Sequence, residues 1–193
     1  MTPGDKLRIK HTGSLPLNAF SGNTIQFNLS GNIESLEYGD DFIGKTASTI
    51  TFGYLFKDSS GLLDASKLVL SAKIIKSYRG LFQDCTNLVT TPVFCANEIT
   101  GEGYRNMFSG CTRITRVEIP NFTTTRKDEL SDMFKGCSSL VYIKCLYSNP
   151  SSLSSASGWV SGVAETGTFV KKAGANWKTG SNGIPSGWTV IEE

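Results

Sequence analysis

Four phenylalanines recur in this chain at a constant spacing of 26 residues, at positions 56, 82, 108 and 134. An apolar residue precedes each one, a small residue follows it three positions later, and an aliphatic residue follows it six positions later. A constant spacing of roughly 20–50 residues is typical of solenoid proteins, in which each repeat stacks on its neighbours. The recurring residues that we expect in the core are Phe56, Phe82, Phe108, Phe134, Cys85, Cys111, Cys137, Leu62, Leu88, Ile114 and Leu140.

Each repeat is predicted to contain one short helical turn and one strand. Tyr104, Met107 and Phe108 lie at positions i, i+3 and i+4, the spacing that places side chains on one face of a helix. Downstream, Val117 and Ile119 alternate with polar residues, as is typical of a strand. Stacked repeats would form a parallel sheet on one side and a row of helical turns on the other. The predicted fold class is therefore an α/β repeat, a solenoid with small β caps at both ends.

The regular spacing covers the middle of the chain and predicts three parts. Residues 1–27 contain short alternating stretches between Gly- and Asn-rich turns and are predicted to be an N-terminal β segment. Residues 28–146 are predicted to be the solenoid, with an atypical first repeat at 28–52 in which Ser30 takes the place of the phenylalanine. A terminal repeat is expected to be atypical because its outer face meets water. Residues 147–193 are predicted to form a tryptophan-containing β cap.

Three of the five cysteines, Cys85, Cys111 and Cys137, occupy the same position in successive repeats. Neighbouring strands lie about 4.8 Å apart, which is within reach of a disulfide. The alternative is a set of small free thiols that fill a narrow part of the core. Ser59 stands in the same position of an earlier repeat, which favours free thiols. Cys95 and Cys145 are predicted to be further core residues.

Composition and charge exclude several classes of partner. A formal net charge of +2 gives no basic patch for nucleic acid or an anionic membrane. No apolar run approaches the roughly 18 residues that a membrane-spanning helix requires. The first residues are polar and lack the hydrophobic region of a signal peptide. Either the protein is not exported or an export leader preceded residue 1, and we favour the second.

No residue pattern indicates catalysis, a metal or a cofactor. His11 is the only histidine, and it lies in a polar stretch typical of the surface, so a Ser/His/Asp or Cys/His centre is not expected. No cysteine and histidine spacing suits zinc. Asp40 and Asp41 lack the rest of a calcium-binding loop and are predicted to be solvated.

The outward face of the strands is the surface on which a solenoid would bind a partner. An arginine and a tyrosine on neighbouring repeats are typical of an interface hot spot, although an ordinary solvated sheet face would carry the same residues. The three tryptophans of the tail, Trp159, Trp177 and Trp188, form either a carbohydrate platform or, as we favour, the core of the cap. The candidate ligand-facing residues are Thr90, Arg116, Glu118, Tyr142 and Lys144.

The repeat pattern resembles that of the BspA-like leucine-rich repeats of bacterial surface proteins. Residues 107–120 carry it most completely, and residues 133–145 repeat it without the final proline. The tail, from Gly158 to Val190, is similar to the C-terminal ending of such chains from gut commensal bacteria. The resemblance implies a leucine-rich-repeat solenoid, a cell-surface or secreted location, and adhesion to a host or bacterial protein or to a glycan. Ser59, in place of the usual cysteine, departs from the pattern.

These observations favour a non-catalytic binding module that presents its strand face to a protein or glycan. The alternative is a structural component of a larger assembly, such as a surface appendage or a phage tail. An enzyme would require a deep pocket with converging polar groups, for which the sequence offers no signal.

Overall fold

The computed structural model describes residues 19–38, 52–70, 73–74, 78–100, 102–124, 128–153 and 157–193. These residues form parallel-strand sheets with almost no helix, which confirms the predicted parallel pairing. The helices are α1 (Ser35–Tyr38) and a 3-10 helix (Pro150–Leu153). The strands are β1 (Phe27–Asn32), β2 (Leu62–Val69), β3 (Lys73–Ile74), β4 (Glu98–Ile99), β5 (Arg116–Ile119), β6 (Thr123–Thr124), β7 (Tyr142–Cys145), β8 (Thr168–Lys171) and β9 (Thr189–Glu192).

The described strands form three sheets, with the orders β1-β2, β3-β4-β6 and β5-β7-β8-β9. In the last of these, Arg116 pairs with Tyr142 and Tyr142 pairs with Thr168, so both steps join residues 26 positions apart. The sheet therefore crosses the predicted boundary at residue 147 without a break in pairing. The tail keeps the 26-residue offset as far as β8, but the last step pairs Thr168 with Thr189, which are 21 residues apart. In the tail Val160 stands 26 residues after Phe134, so no phenylalanine marks the offset there.

Besides the sheets, main-chain hydrogen bonds join five successive turns to one another. These turns, residues 54–58, 80–84, 106–110, 132–136 and 158–162, are here called the turn ladder. The amide of Phe82 donates to the carbonyl of Met107 at 2.9 Å, and the amide of Phe108 donates to Met133 at 2.9 Å. The last step repeats this geometry with Trp159, whose carbonyl accepts from Phe134 at 2.8 Å. Trp159 thus takes the place that methionine has in the two preceding turns.

The predicted helical turns are wrong, because the turn ladder contains left-handed residues that a right-handed helix does not accept. Within one turn, the amides of Leu81, Gln83 and Cys85 each donate to a carbonyl three residues earlier. The alternating amides of Phe82 and Asp84 donate to the next turn. Residues in the first position of the five turns have φ between 53° and 64°, and those in the last have φ between 58° and 77°. These residues are Tyr54, Gly80, Asn106, Asp132 and Gly158, then Asp58, Asp84, Gly110, Gly136 and Gly162.

The core lies between the turn ladder and the strands. The phenylalanine rings stack nearly parallel, with centroids 5.7 Å apart from Phe56 to Phe82, 5.4 Å from Phe82 to Phe108 and 5.8 Å from Phe108 to Phe134. Every side chain predicted from the spacing to form the core is buried. Phe20 extends the stack at the other end, with its ring centroid 5.8 Å from that of Phe56.

The predicted first repeat at 28–52 is in the wrong register. Ser30 pairs with Lys67 in the sheet and does not take the place of the phenylalanine. Phe20 has that place, because its amide donates to the carbonyl of Leu55 at 3.1 Å and its ring lies on Phe56. The offset between Phe20 and Phe56 is 36 residues instead of 26, so a search at constant spacing passes over it.

All five cysteines are free. Cys145 is buried as predicted, whereas Cys95 is exposed and the prediction that it is a core residue is wrong. Burial raises the pKa of Cys85, Cys137 and Cys145 to about 12, since a thiolate would be poorly solvated there. The predictions on His11 and on Asp40 and Asp41 lie outside the described residues, as do residues 1–18 of the predicted N-terminal β segment.

Candidate functional site

Arg116 and Tyr142, the proposed hot-spot pair, are in direct contact. They are paired across β5 and β7, and the Arg116 guanidinium carbon lies 3.7 Å from the centroid of the Tyr142 ring. Arg116 Nε also donates to Glu118 Oε1 at 3.1 Å. This hydrogen bond is the main reason that the pKa of Arg116 is raised. Cation–π and ion-pair contacts together hold the exposed guanidinium over the Tyr142 ring.

The other polar candidates are also engaged with partners. Lys144 Nζ donates to Glu193 Oε1 at 2.7 Å, and this bond raises the pKa of Lys144. Thr90 Oγ1 donates to the carboxylate of Asp64, which lowers the pKa of that carboxyl group. The charges on this face therefore neutralise one another in pairs.

A groove of about 700 Å³ lies between the segment 89–94 and strand β5. It brings together four of the five predicted ligand-facing residues, namely Thr90, Arg116, Glu118 and Lys144. The fifth, Tyr142, lies beneath Arg116 at the margin of the groove. The strand alternation did not indicate the apolar part of the lining, which consists of Val89, Pro92, Val93, Phe94, Val117, Ile119, Pro120 and Leu146.

The groove lies where strand pairing stops. On one side, the segment 89–94 is joined to β2 by isolated bridges at Thr90 and Val93. On the other side, β5 is the edge of the four-stranded sheet and pairs with β7 alone. Within the part of the chain that the structure describes, no strand pairing joins the segment 89–94 to β5.

Pro92 accounts for the break. The carbonyl of Thr90 accepts from Ala65 at 3.4 Å, and the amide of Val93 donates to Leu68 at 3.0 Å, so both residues face β2. Residues of a regular strand that face the same neighbour are two or four apart, but Thr90 and Val93 are three apart. Pro92 has no amide proton to give to the ladder, and the chain turns Val93 toward β2 in its place. Val93 is then no longer available to β5.

The main-chain groups of Arg116 and Glu118 consequently face the groove. The carbonyls of Thr115 and Ile119 accept from Tyr142 at 3.2 Å and from Leu146 at 3.1 Å, so the odd-numbered residues of β5 face β7. In a parallel strand the amide and carbonyl of one residue point to the same side, and successive residues alternate. No hydrogen bond of the described segment 89–94 reaches the amide or carbonyl of Arg116 or Glu118.

Apolar side chains open to solvent at this break. Val89 is 38% exposed and Val93 is 48% exposed, which places both among the large apolar residues that the fold leaves uncovered. Phe94, which also lines the groove, is buried and packs edge-on against Tyr104, at 5.4 Å between ring centroids. The described lining of the groove contains neither histidine nor cysteine.

The tryptophans of the tail do not form an exposed platform. Trp159 is buried and its Nε1 donates to the carbonyl of Gly183 at 2.8 Å. Trp188 is also buried, and its Nε1 donates to Ala164 at 2.8 Å. Trp177 is half-buried and stacks on Trp159 with 5.3 Å between ring centroids. Their contacts are those of core residues at the end of the stack.

Among the described residues, no helix is long and apolar enough to cross a bilayer, and no group of three or more histidine, cysteine, aspartate or glutamate side chains is placed to hold a metal ion. The groove beside β5 is thus the candidate functional site of the described chain. In comparisons with known proteins, no family model, no curated protein and no solved structure matches this chain.

Proposed function

We propose that this protein is a non-catalytic binding module, secreted or displayed on a bacterial cell surface, that adheres to a protein or glycan partner. The observation that supports the proposal is the groove of about 700 Å³ beside β5, because it collects the candidate ligand-facing residues in one place. Binding sites for ligands commonly have volumes of roughly 300–1,000 Å³ and combine apolar walls with a few polar groups. The groove has both.

The fold that we propose for this module is a leucine-rich-repeat solenoid of the BspA-like type. The 26-residue offset in the pairing of β5, β7 and β8 supports it, as do the turn ladder and the stacked phenylalanines. A solenoid presents a continuous strand surface, and local irregularities on that surface are where a ligand gains specific contacts. In this chain the irregularity is the break that Pro92 introduces.

Arg116 and Tyr142 are the side chains that we expect to contribute most to binding. Arginine and tyrosine are enriched in hot spots because each combines a large contact area with hydrogen-bonding groups. The stacked guanidinium already lies flat on the ring at 3.7 Å, so little side-chain entropy is lost when a partner covers it.

A binding screen with matched variants tests this proposal. The purified protein is applied to arrays of host matrix proteins and of glycans, and affinities are measured for each partner found. Arg116→Ala and Tyr142→Ala are expected to weaken binding at least ten-fold, whereas Arg113→Ala, which removes an exposed arginine outside the groove, leaves it unchanged. A screen without any binder, or a partner that binds all variants equally, would contradict the proposal.

A structural role in a larger assembly is the second candidate, and strand β9 favours it. All four residues of β9 are exposed, with Val190 at 45% and Ile191 at 48%, and β9 pairs with β8 on one side only. Exposed apolar strand edges promote association with further strands. If the protein assembles through β9, sedimentation velocity will show a concentration-dependent oligomer that Ile191→Lys abolishes. A monomer at all concentrations would argue against assembly through this edge.

A further inference from the structure

We propose that the occupant of the groove is an extended peptide segment of a partner protein, which adds a strand to the free edge of β5. The inference rests on the proposed binding function and deepens it, because it selects a peptide over a glycan. Extended peptides bind in this way when a sheet offers a row of unpaired main-chain groups.

The row of main-chain groups is provided by Arg116 and Glu118. Their amides and carbonyls face the groove, since the odd-numbered residues of β5 face β7, and the described segment 89–94 does not bond to them. Each groove-facing residue of an edge strand has one amide donor and one carbonyl acceptor, so Arg116 and Glu118 together offer two donors and two acceptors. A peptide main chain is the ligand whose donors and acceptors alternate with the same spacing.

The walls of the groove indicate the side chains of that peptide. A strand beside β5 directs alternate side chains toward Val117 and Ile119, which are buried, and toward solvent near Val93, which is 48% exposed. Inward positions are therefore expected to be apolar and of moderate size, while outward positions tolerate polar residues. Proline is excluded at the positions that donate to β5.

Charge does not favour an ionic ligand here. Arg116 is paired with Glu118 and covers Tyr142, and Lys144 is paired with Glu193. A ligand that relied on a free cation or anion in the groove would first have to break one of these pairs. The amides and carbonyls of Arg116 and Glu118, by contrast, have no hydrogen bond to the described segment 89–94, and they would suit a neutral, extended backbone.

The chain offers a matched pair of variants at one position. Glu118→Pro removes the groove-facing amide proton together with the side-chain charge, whereas Glu118→Ala removes the charge and keeps the proton. Proline is tolerated on edge strands when its nitrogen faces away from the sheet, as that of Glu118 does. Thermal melting of both variants establishes that they are folded before binding is measured.

The probe is a display library of linear eight-residue peptides, from which binders to the wild-type protein are selected. The tightest binder is synthesised in its native form and in a set of single N-methylated forms. We expect at least a ten-fold weaker affinity for Glu118→Pro than for Glu118→Ala, and a similar loss when alternate residues of the peptide are N-methylated. If Glu118→Pro does not fold, the N-methylated peptides alone decide the result, because they leave the protein unchanged.

Two outcomes overturn the inference. One is a library that yields no binder, and the other is a peptide whose affinity does not depend on the Glu118 amide or on its own amides. Either outcome is distinguishable from failure of the proposed function. A glycan or protein partner that requires Arg116 and Tyr142 but binds Glu118→Pro and Glu118→Ala equally would uphold the function and refute the added strand.

Discussion

The thiol of Cys111 donates a hydrogen bond to the main-chain carbonyl of Phe82, at 3.0 Å between Sγ and oxygen. The same contact joins Cys85 to Phe56 at 3.0 Å and Cys137 to Phe108 at 3.1 Å. In the earliest step Ser59 replaces cysteine, and its hydroxyl donates to Phe20 at 2.9 Å. The position thus favours a small donor rather than any small side chain, which explains why one serine and three cysteines occupy it.

The first prediction concerns this donor. Cys111→Ala removes the hydrogen bond and leaves a small void, so we expect it to lower the free energy of unfolding by about 1–2 kcal/mol. Cys111→Ser keeps a donor of nearly the same size, and we expect a smaller loss, below about 1 kcal/mol. Urea denaturation of the two variants beside the wild type measures both values. A serine variant less stable than the alanine variant would show that the hydrogen bond contributes nothing.

The stacked rings predict a large effect at the centre of the core. Phe108 is buried, with Phe82 on one side at 5.4 Å and Phe134 on the other at 5.8 Å between ring centroids. Phe108→Ala is expected to cost about 3–5 kcal/mol, since it removes the ring from both stacks and leaves a cavity. Phe108→Leu fills much of that volume and serves as the control, with a smaller expected cost. A loss below about 1 kcal/mol for the alanine variant would be inconsistent with a core position.

Accessibility of the thiols gives a chemical test of the fold. Cys95 is exposed, whereas Cys85, Cys111, Cys137 and Cys145 are buried and the pKa of each is raised by that burial. Because alkylation requires the thiolate, iodoacetamide should modify Cys95 rapidly and the others only after unfolding. Intact-mass spectrometry before and after addition of denaturant counts the modified thiols. Labelling of more than one thiol in the folded protein would contradict the burial.

The raised thiol pKa values also predict a dependence of stability on pH. Burial raises the pKa of Cys85, Cys137 and Cys145 to about 12 in the folded protein, against an ordinary value of 9.0 for a thiol. Above about pH 9 the unfolded chain releases these protons and the folded chain retains them, so the free energy of unfolding falls as pH rises toward 12. The loss is on the order of 1 kcal/mol for each thiol at about pH 10.

Urea denaturation at about pH 8 and about pH 10 measures this loss. A Cys137→Ser variant has one fewer titrating thiol in the core and is expected to lose less stability between the two conditions. Equal losses in the wild type and the variant would show that the alkaline destabilisation arises from other groups.

The left-handed turn positions predict two alanine substitutions with different costs. Gly136 has φ of 76° and an added Cβ would meet nothing closer than 3.8 Å, so Gly136→Ala should cost about 1–2 kcal/mol for the backbone alone. Gly110 has φ of 77°, but an added Cβ would lie 2.1 Å from Asp84 Oδ1. Gly110→Ala should therefore cost more than Gly136→Ala. Thermal melts of both variants rank them, and the reverse order would contradict the packing of Asp84 on this turn.

Several parts of the fold could be predicted from the sequence because they depend on burial that recurs at a constant interval. The phenylalanine positions belong to this class, and so does the small position of Cys111. The turns could not be predicted as such, because Tyr104, Met107 and Phe108 have a spacing that a helix and a left-handed turn share. Asn106, with φ of 55°, and Gly110 were the signals in the sequence that distinguish the two.

The candidate site also has one part that could be predicted from the sequence and one that could not. Alternation along the strands predicted that Arg116, Glu118 and Lys144 share one face, and the groove includes all three. Its apolar wall could not be predicted by alternation, since Val93 changes sides after Pro92. A proline within a predicted strand was the available signal for a break in pairing.

The sequence by itself determined which side chains are buried, because a side chain that recurs every 26 residues meets the same surroundings in each turn. Only the tertiary structure decided which segments are neighbours where that interval changes, as for Phe20 beside Phe56, and where the sheet opens, as between Val93 and β5. Both depend on main-chain hydrogen bonds between distant segments. Such a bond forms only where the folded chain places an acceptor beside the amide. The amide of Val93, for example, donates to the carbonyl of Leu68.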